Sequence, residues 1–227
     1  MSVNVAQLVA QIVGLALVFG LALFLAAGTI AWLAGWILLA LFFGFVLAIT
    51  LWLYRNNPGL LKERMRGPSA DQKSWDKALL LVTGVLFLAW LVVMPLDAVR
   101  FGWSVLPVAL QVVGAFVLVG SFYVFFVTFR ENAFLSPLAR IQTDRGQTVV
   151  STGPYRVVRH PMYSGFVLFT LGTSLLLGSW FGLGLGLLLV GMVARRAVLE
   201  ERMLRSELHG YAAYMESVTY RLVPRVW

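Results

Sequence analysis

Long charge-free segments alternate with short basic segments along the chain. Residues 5–54 carry no charged side chain, and this length is enough for two membrane-spanning helices of about 20 residues each. We predict the break between these two helices near residues 27–29. Charge-free residues 78–96 predict a third spanning helix, and residues 101–129 predict a fourth that begins near Pro107.

Residues 161–194 are also free of charge, but this segment is long for one helix and short for two full crossings. Residues 178–182 read Gly-Ser-Trp-Phe-Gly, a composition typical of a tight turn. We therefore predict a hairpin of two short or tilted helices, the second extended by the snorkelling side chains of Arg195 and Arg196. The pattern gives about six spanning helices in total, with five as the main alternative.

The chain beyond residue 200 changes from continuous hydrophobicity to a helical stripe. Leu204, Leu208, Tyr211 and Met215 recur at helical spacing and form one apolar face. We predict a single helix from residue 200 to about residue 217, lying on the cytoplasmic surface of the membrane.

These elements predict an all-α fold. It is a polytopic membrane helical bundle of about six transmembrane helices, the last two forming a short hairpin, plus a C-terminal interfacial helix. We expect one integral membrane domain over residues 1–227. Within it, residues 1–129 form a four-helix part, and residues 130–227 carry a polar loop, the hairpin and the tail.

Basic residues orient the bundle. All of the 18 Lys and Arg residues except Arg100 lie in the segments 55–77, 130–159 and 195–227. Because basic residues collect on the cytoplasmic side of membrane proteins, we predict that both termini and these three segments face the cytoplasm. An even number of spanning helices agrees with that arrangement.

Composition supports a membrane protein and narrows its chemistry. The chain is 60% hydrophobic and 12% charged, with a mean hydropathy of +0.85, whereas soluble domains carry about 25% charged residues. It has no cysteine, which excludes disulfides and a cysteine nucleophile. Two histidines, His160 and His209, make a protein-built metal site improbable. The net charge of +8 is explained by the basic residues that membrane proteins carry on their cytoplasmic side. We therefore expect no nucleic-acid partner.

A basic, turn-rich segment leads into the hairpin: residues 153–165, Gly-Pro-Tyr-Arg-Val-Val-Arg-His-Pro-Met-Tyr-Ser-Gly. Pro161 suits the first helical position, because its missing N–H would have no intrahelical partner there. His160 would then lie at or beside the N-cap, and capping alone is its simplest role. The free amides of that helix end would suit a carboxylate or phosphate, with Arg156 and Arg159 adding positive charge.

Two further polar groups are predicted on the same face of the membrane. Glu200 and Glu201 end the last span, and Tyr211, Tyr214 and Arg221 lie in the tail. Taken singly, the carboxylates could pair with the two preceding arginines, and the tyrosines could be interfacial aromatics. Taken together with the loop they indicate a site, because ionisable groups at membrane depth are costly and tend to mark function.

Three sequence blocks occur in order: the loop 153–165, Glu-Glu-Arg-Met-Leu at 200–204 and Tyr-Ala-Ala-Tyr at 211–214. Together they closely resemble the isoprenylcysteine carboxyl methyltransferase family, which is kin to the membrane phospholipid methyltransferases. The resemblance covers roughly residues 129–227, whereas the first four helices match only in character.

The resemblance implies S-adenosylmethionine as methyl donor, held in a pocket closed by the loop, the hairpin and the tail. It assigns eight residues to cofactor binding: Gly153, Tyr155, Val158, Arg159, His160, Tyr163, Glu200 and Tyr214. It places Glu201 and Arg221 nearest the reacting end as catalytic residues. There Glu201 could accept a proton or face the sulfonium, and Arg221 could orient an acceptor carboxylate.

We therefore predict an integral membrane enzyme, an S-adenosylmethionine-dependent methyltransferase acting on a lipophilic, isoprenylcysteine carboxylate-like acceptor that enters from the lipid bilayer. Phospholipid N-methylation and thiol S-methylation stay open on the same scaffold. An NADPH-dependent membrane reductase and a non-catalytic membrane protein are the alternatives from other classes. The predicted location is the plasma (inner) membrane, with the active site facing the cytoplasm.

Overall fold

The computed structural model describes residues 3–67 and 71–227. Within these ranges the chain forms eight α-helices and no β-strand. The helices are α1 Val5–Ala27, α2 Leu33–Asn56, α3 Pro58–Arg64, α4 Ser74–Pro95, α5 Val108–Glu131, α6 Pro161–Leu176, α7 Trp180–Glu207 and α8 Tyr211–Ser217. The all-α prediction is confirmed.

In the part of the chain that the structure describes, five helices are long and apolar enough to cross a membrane by length and composition: α1, α2, α4 with its extension, α5 and α7. The fifth predicted span, α6, is a shorter apolar helix of 16 residues. The hairpin is confirmed, because α6 and α7 are joined by a turn in which Gly178 adopts a φ of 76°. Ser179 then caps α7 by accepting a hydrogen bond from the amide of Gly182.

The predicted break between the first two helices is also confirmed. Helix α1 ends at Ala27, and Gly28 adopts a left-handed φ of 73° while its N–H bonds to the carbonyl of Phe24. The third span runs further than expected. After Pro95 the chain continues as a π-helical turn, Leu96–Arg100, as occurs where proline removes a donor from the helical ladder.

The predicted single helix over residues 200–217 is wrong. Helix α7 continues to Glu207, and a new helix, α8, begins at Tyr211. The break is at Gly210, whose φ of 83° is costly for residues other than glycine. The apolar stripe of this region packs inward with Tyr155 and Val149. The turn therefore places the tyrosines of α8 against the loop before α6.

Close contact between α5 and α6 fixes the start of the hairpin. A Cβ atom added to Gly172 would lie 2.5 Å from the backbone nitrogen of Leu118, and one added to Gly114 would lie 2.4 Å from that of Leu176. Small residues thus let the two backbones touch, as is common between membrane helices. The core beside this contact contains the buried Trp90. The expected division of residues 1–227 into a four-helix part and a site-bearing part stays a prediction.

Candidate active site

A cavity of about 330 Å³ lies where the start of α6, the end of α7 and α8 meet the loop between α5 and α6. Its volume is in the range of small-molecule sites. The wall combines polar side chains with apolar ones from the loop and α7. The apolar side chains include Val149, Val150, Met203, Leu204 and Leu208.

The cavity brings together residues from all three sequence blocks. Six predicted cofactor-binding residues line it: Tyr155, Arg159, His160, Tyr163, Glu200 and Tyr214. In the described part of the chain, the other four predicted residues do not line it: Gly153, Val158, Glu201 and Arg221. The predicted roles of all ten residues stay predictions.

Two of the residues outside the lining shape the loop. Gly153 has a φ of 54°, and a Cβ there would lie 2.7 Å from Oε2 of Glu131. Glycine therefore permits both the turn and the close approach to α5. Val158 is buried, so its contribution is packing beneath the loop.

The helix start was predicted correctly, but the side chain of His160 does not cap the helix. Pro161 is the first residue of α6, and His160 immediately precedes it without a side-chain capping bond. Instead, Nε2 of His160 lies 3.3 Å from Oε1 of Glu201. Among the described residues this buried nitrogen has no hydrogen-bond partner of good geometry, so it can accept or donate to a ligand.

Glu201 is a buried carboxylate held by two arginines. Nε of Arg159 donates to Oε1 at 2.6 Å, and Nε of Arg221 donates to Oε2 at 2.7 Å. Arg159 also donates to the backbone carbonyls of Val218 and Thr219. Glu201 therefore joins the loop before α6 to the tail, and Arg159 is largely occupied by protein partners.

The tail is bound to the same loop through its backbone. The amide of Arg159 donates to the carbonyl of Tyr220, and the amide of His160 donates to that of Arg221, each at 2.9 Å. The hydroxyl of Ser164 donates to the carbonyl of Leu222. These bonds hold the tail as one side of the site.

Within the described chain Glu200 makes no direct hydrogen bond or ion pair with Arg195 or Arg196, although its charge still acts on Arg196. Its Oε2 accepts a hydrogen bond from the hydroxyl of Tyr163 at 2.8 Å. Arg196 instead donates from Nε to Oδ1 of Asp76 at 2.8 Å and from Nη2 to the carbonyl of Pro137. Glu200 and Tyr163 thus face the cavity as a hydrogen-bonded pair.

Three tyrosines form an aromatic wall. The hydroxyl of Tyr214 donates to the carbonyl of Tyr155 at 2.8 Å, and Asn132 donates to the hydroxyl of Tyr155. The rings of Tyr211 and Tyr214 are 5.6 Å apart. Burial raises the pKa of Tyr155 and Tyr211 above the usual range and that of Tyr214 to about 12. All three hydroxyls are therefore neutral at physiological pH.

Sequence reasoning missed several residues of the site. Asp76 is fully buried at the start of α4, where it also accepts a hydrogen bond from the amide of Ala139. It positions Arg196, which the sequence had suggested as a snorkelling residue or as a partner of Glu200 and Glu201. Arg64 and Arg140 line the cavity as well. The sequence did contain a signal for Asp76, because this acidic residue lies at the start of a hydrophobic helix, where a charge is costly.

The cavity fits S-adenosylmethionine by its polar and aromatic character. Two buried atoms in its lining make no hydrogen bond within the described chain: the hydroxyl of Tyr211, and Nε2 of His160, which lies 3.3 Å from Oε1 of Glu201. Buried polar groups are rarely left unpaired, so these atoms suit a ligand with several polar groups. The tyrosine wall and the apolar side chains suit a flat heterocycle such as adenine.

Residues 109–210 match the model of a known family, PEMT, phospholipid methyltransferase. This family is related to the isoprenylcysteine carboxyl methyltransferases, so the match confirms the resemblance predicted from the sequence. The matched segment covers a little under half of the chain and ends immediately before α8. No curated protein matches the chain. The family match and the apolar helices together support a membrane methyltransferase.

Proposed function

We propose that the chain is an integral membrane methyltransferase that uses S-adenosylmethionine and acts on a lipophilic, isoprenylcysteine carboxylate-like acceptor. The observation that carries this proposal is the cavity itself. It joins the loop and α7 of the matched segment to the tyrosines of α8, and it holds two buried polar atoms that make no hydrogen bond within the described chain.

His160, Tyr163, Glu200, Tyr211 and Tyr214 would hold the methyl donor. When bound, S-adenosylmethionine supplies a methyl group on a positively charged sulfur. Methyl transfer from such a centre to a nucleophile needs no protein nucleophile, so the protein acts by alignment. A bound acceptor that displaces water from the aromatic wall would favour the joining of opposite charges when that acceptor is anionic.

Glu201 contributes to this site as a positioning residue. It touches Arg159 and Arg221 and sits behind the cavity wall rather than in it. These contacts support a role for Glu201 in holding the loop and the tail in position. The lining carboxylate, Glu200, is the better-placed proton acceptor for an acceptor that arrives neutral.

The family match favours a second candidate, N-methylation of a phospholipid, because the matching model is that of phospholipid methyltransferases. Both candidates share the donor and a lipid-soluble acceptor. The position of basic residues supports the same orientation for either: the cavity opens on the cytoplasmic side of the plasma membrane, where soluble donor is available.

The test is a pair of binding titrations on the purified chain in detergent, one with S-adenosylhomocysteine and one with NADPH. We expect saturable binding of S-adenosylhomocysteine, a loss of affinity in His160→Ala, and unchanged affinity in Arg202→Gln, whose side chain is exposed on α7. Preference for NADPH would contradict the proposal and favour a reductase.

A further inference from the structure

The first four predicted spans and the segments between them contribute two side chains to the described lining of the cavity, Arg64 and Leu80. Both lie outside residues 109–210, the segment that matches the family model. Among the described residues before the matched segment, Arg64 is therefore the charged residue that lines the cavity.

The guanidinium of Arg64 is held in place by neutral groups. It stacks over the buried ring of Phe129 at 4.7 Å from the ring centroid, and its Nη1 donates to the carbonyl of Leu135 at 3.3 Å. These two contacts position the group from α5 and the following loop. They leave most of its five N–H donors available.

The other arginines of the lining are neutralised by carboxylates. Arg140 pairs with Glu63, Asp71 and Asp144, Arg159 pairs with Glu201, and Arg196 pairs with Asp76. Over residues 3–67 and 71–227, Arg64 forms no ion pair with a carboxylate. Its charge is thus the uncompensated one at this cavity.

The side chain of Arg64 is exposed to solvent, so an anion can reach its guanidinium. A carboxylate or phosphate accepts the planar, forked donors of arginine especially well.

We propose that Arg64 binds an anionic group of the methyl acceptor and selects a carboxylate- or phosphate-bearing amphiphile over a thiol or an amine that lacks an anionic group. This inference rests on the proposed function. The donor also carries a carboxylate, so the same chemistry has two sources. Arg64 lies outside the three sequence blocks that the resemblance assigns to the donor, and this favours the acceptor.

The experiment measures acceptor preference and donor affinity in the same purified preparations reconstituted into lipid nanodiscs. One arm compares inhibition of methyl transfer by a prenylcysteine carboxylate and by its carboxamide. A second arm compares, as acceptors, phosphatidylethanolamine and a long-chain amine that lacks the phosphate. A third arm titrates S-adenosylhomocysteine. The variants are Arg64→Gln, Arg64→Lys and the control Arg202→Gln.

We expect the wild-type chain to favour the anionic member of at least one pair by about tenfold or more, as for loss of a charge-assisted hydrogen bond. Arg64→Gln should abolish this preference, Arg64→Lys should restore part of it, and Arg202→Gln should keep it. Affinity for S-adenosylhomocysteine should be equal in all four proteins.

Two results would overturn the inference and leave the proposed function intact. One is an unchanged preference in Arg64→Gln. The other is a loss of S-adenosylhomocysteine affinity in that variant, which would assign the anion to the donor. Absence of S-adenosylhomocysteine binding by the wild-type chain would instead contradict the proposed function. Partial recovery of the acceptor preference in Arg64→Lys would show that Arg64→Gln acts through the lost charge and not through misfolding.

Discussion

Nε of Arg221 lies 2.7 Å from Oε2 of Glu201, and this contact fastens the C-terminal tail to the end of α7. The side chain of Glu201 is buried, whereas that of Arg221 is partly exposed. The same carboxylate also holds Arg159 of the loop before α6. One side chain therefore joins the three segments that surround the cavity.

Glu201→Gln should loosen this junction and lower the affinity for S-adenosylhomocysteine by tenfold or more. The physical reason is that two buried or half-buried guanidinium groups lose their counter-charge, a change that costs about 3–5 kcal/mol for buried pairs. Isothermal titration would measure the affinity, and hydrogen exchange would report increased opening of the tail.

Glu216→Gln is the matched control, because Glu216 is an exposed carboxylate on α8. It should leave both measurements unchanged. Equal binding by Glu201→Gln and the wild-type chain would show that the junction does not shape the site.

Two tyrosines of α8 should differ in the consequence of losing their hydroxyl groups. Tyr214→Phe removes a hydrogen bond to the carbonyl of Tyr155 and should lower the free energy of unfolding by about 1 kcal/mol. Tyr211→Phe removes a hydroxyl that has no partner within the described chain, so folding should be unaffected. Donor affinity should fall about three- to tenfold in Tyr211→Phe, as expected for one neutral hydrogen bond.

Thermal unfolding in detergent and S-adenosylhomocysteine titration together separate these effects. If Tyr211→Phe bound the donor analogue as tightly as the wild-type chain, the unpaired hydroxyl would not be a ligand-binding group.

The pairing of Glu63 with Arg140 should make stability depend on pH. Burial alone would raise the pKa of Glu63, but hydrogen bonds from Arg140 and Ser136 and the nearby positive charges hold it below its usual value. A carboxyl with a depressed pKa stabilises the fold fully above its unfolded pKa, and this contribution is lost as pH falls through the folded value.

Glu63→Gln should therefore lower the free energy of unfolding by about 1.5–3 kcal/mol near neutral pH. The difference from the wild-type chain should shrink as pH falls through the folded pKa of Glu63. Unfolding midpoints between neutral and acidic pH would measure it. A difference that stays constant down to strongly acidic pH would show that this carboxyl is not the titrating group.

Single-cysteine labelling should report the orientation, since the chain has no cysteine of its own. Ser151→Cys places an exposed thiol near the cavity, and Val105→Cys places one at the opposite end of the bundle, where residue 105 is 84% exposed. In intact cells an impermeant reagent should label Val105→Cys and leave Ser151→Cys unreacted. The reverse pattern would contradict the cytoplasmic site.

The local features of the fold were predictable because each depends on neighbouring residues. Pro161 marked the start of α6, and the residues 178–182 marked the turn of the hairpin. The break at Gly210 was missed because the apolar stripe continues through it, and periodicity alone does not reveal a left-handed residue.

The sequence predicted which residues form the candidate site better than it predicted which of them bond to each other. Glu201 bonds to Arg159 and Arg221, which are 42 and 20 residues away along the chain. Such partners depend on how the tail folds back over the loop, which spacing does not encode. Arg64 was missed for the same reason, since it reaches the cavity from a helix in the predicted basic segment.

Transfer of a labelled methyl group tests the central claim most directly. The purified chain would be incubated with radiolabelled S-adenosylmethionine and, in turn, a prenylcysteine analogue, phosphatidylethanolamine and a long-chain thiol. We predict label in the organic phase with at least one acceptor, and strongly reduced label with Glu201→Gln. Folded protein that labels none of these acceptors, yet binds NADPH and oxidises it with a membrane-soluble substrate, would contradict the account.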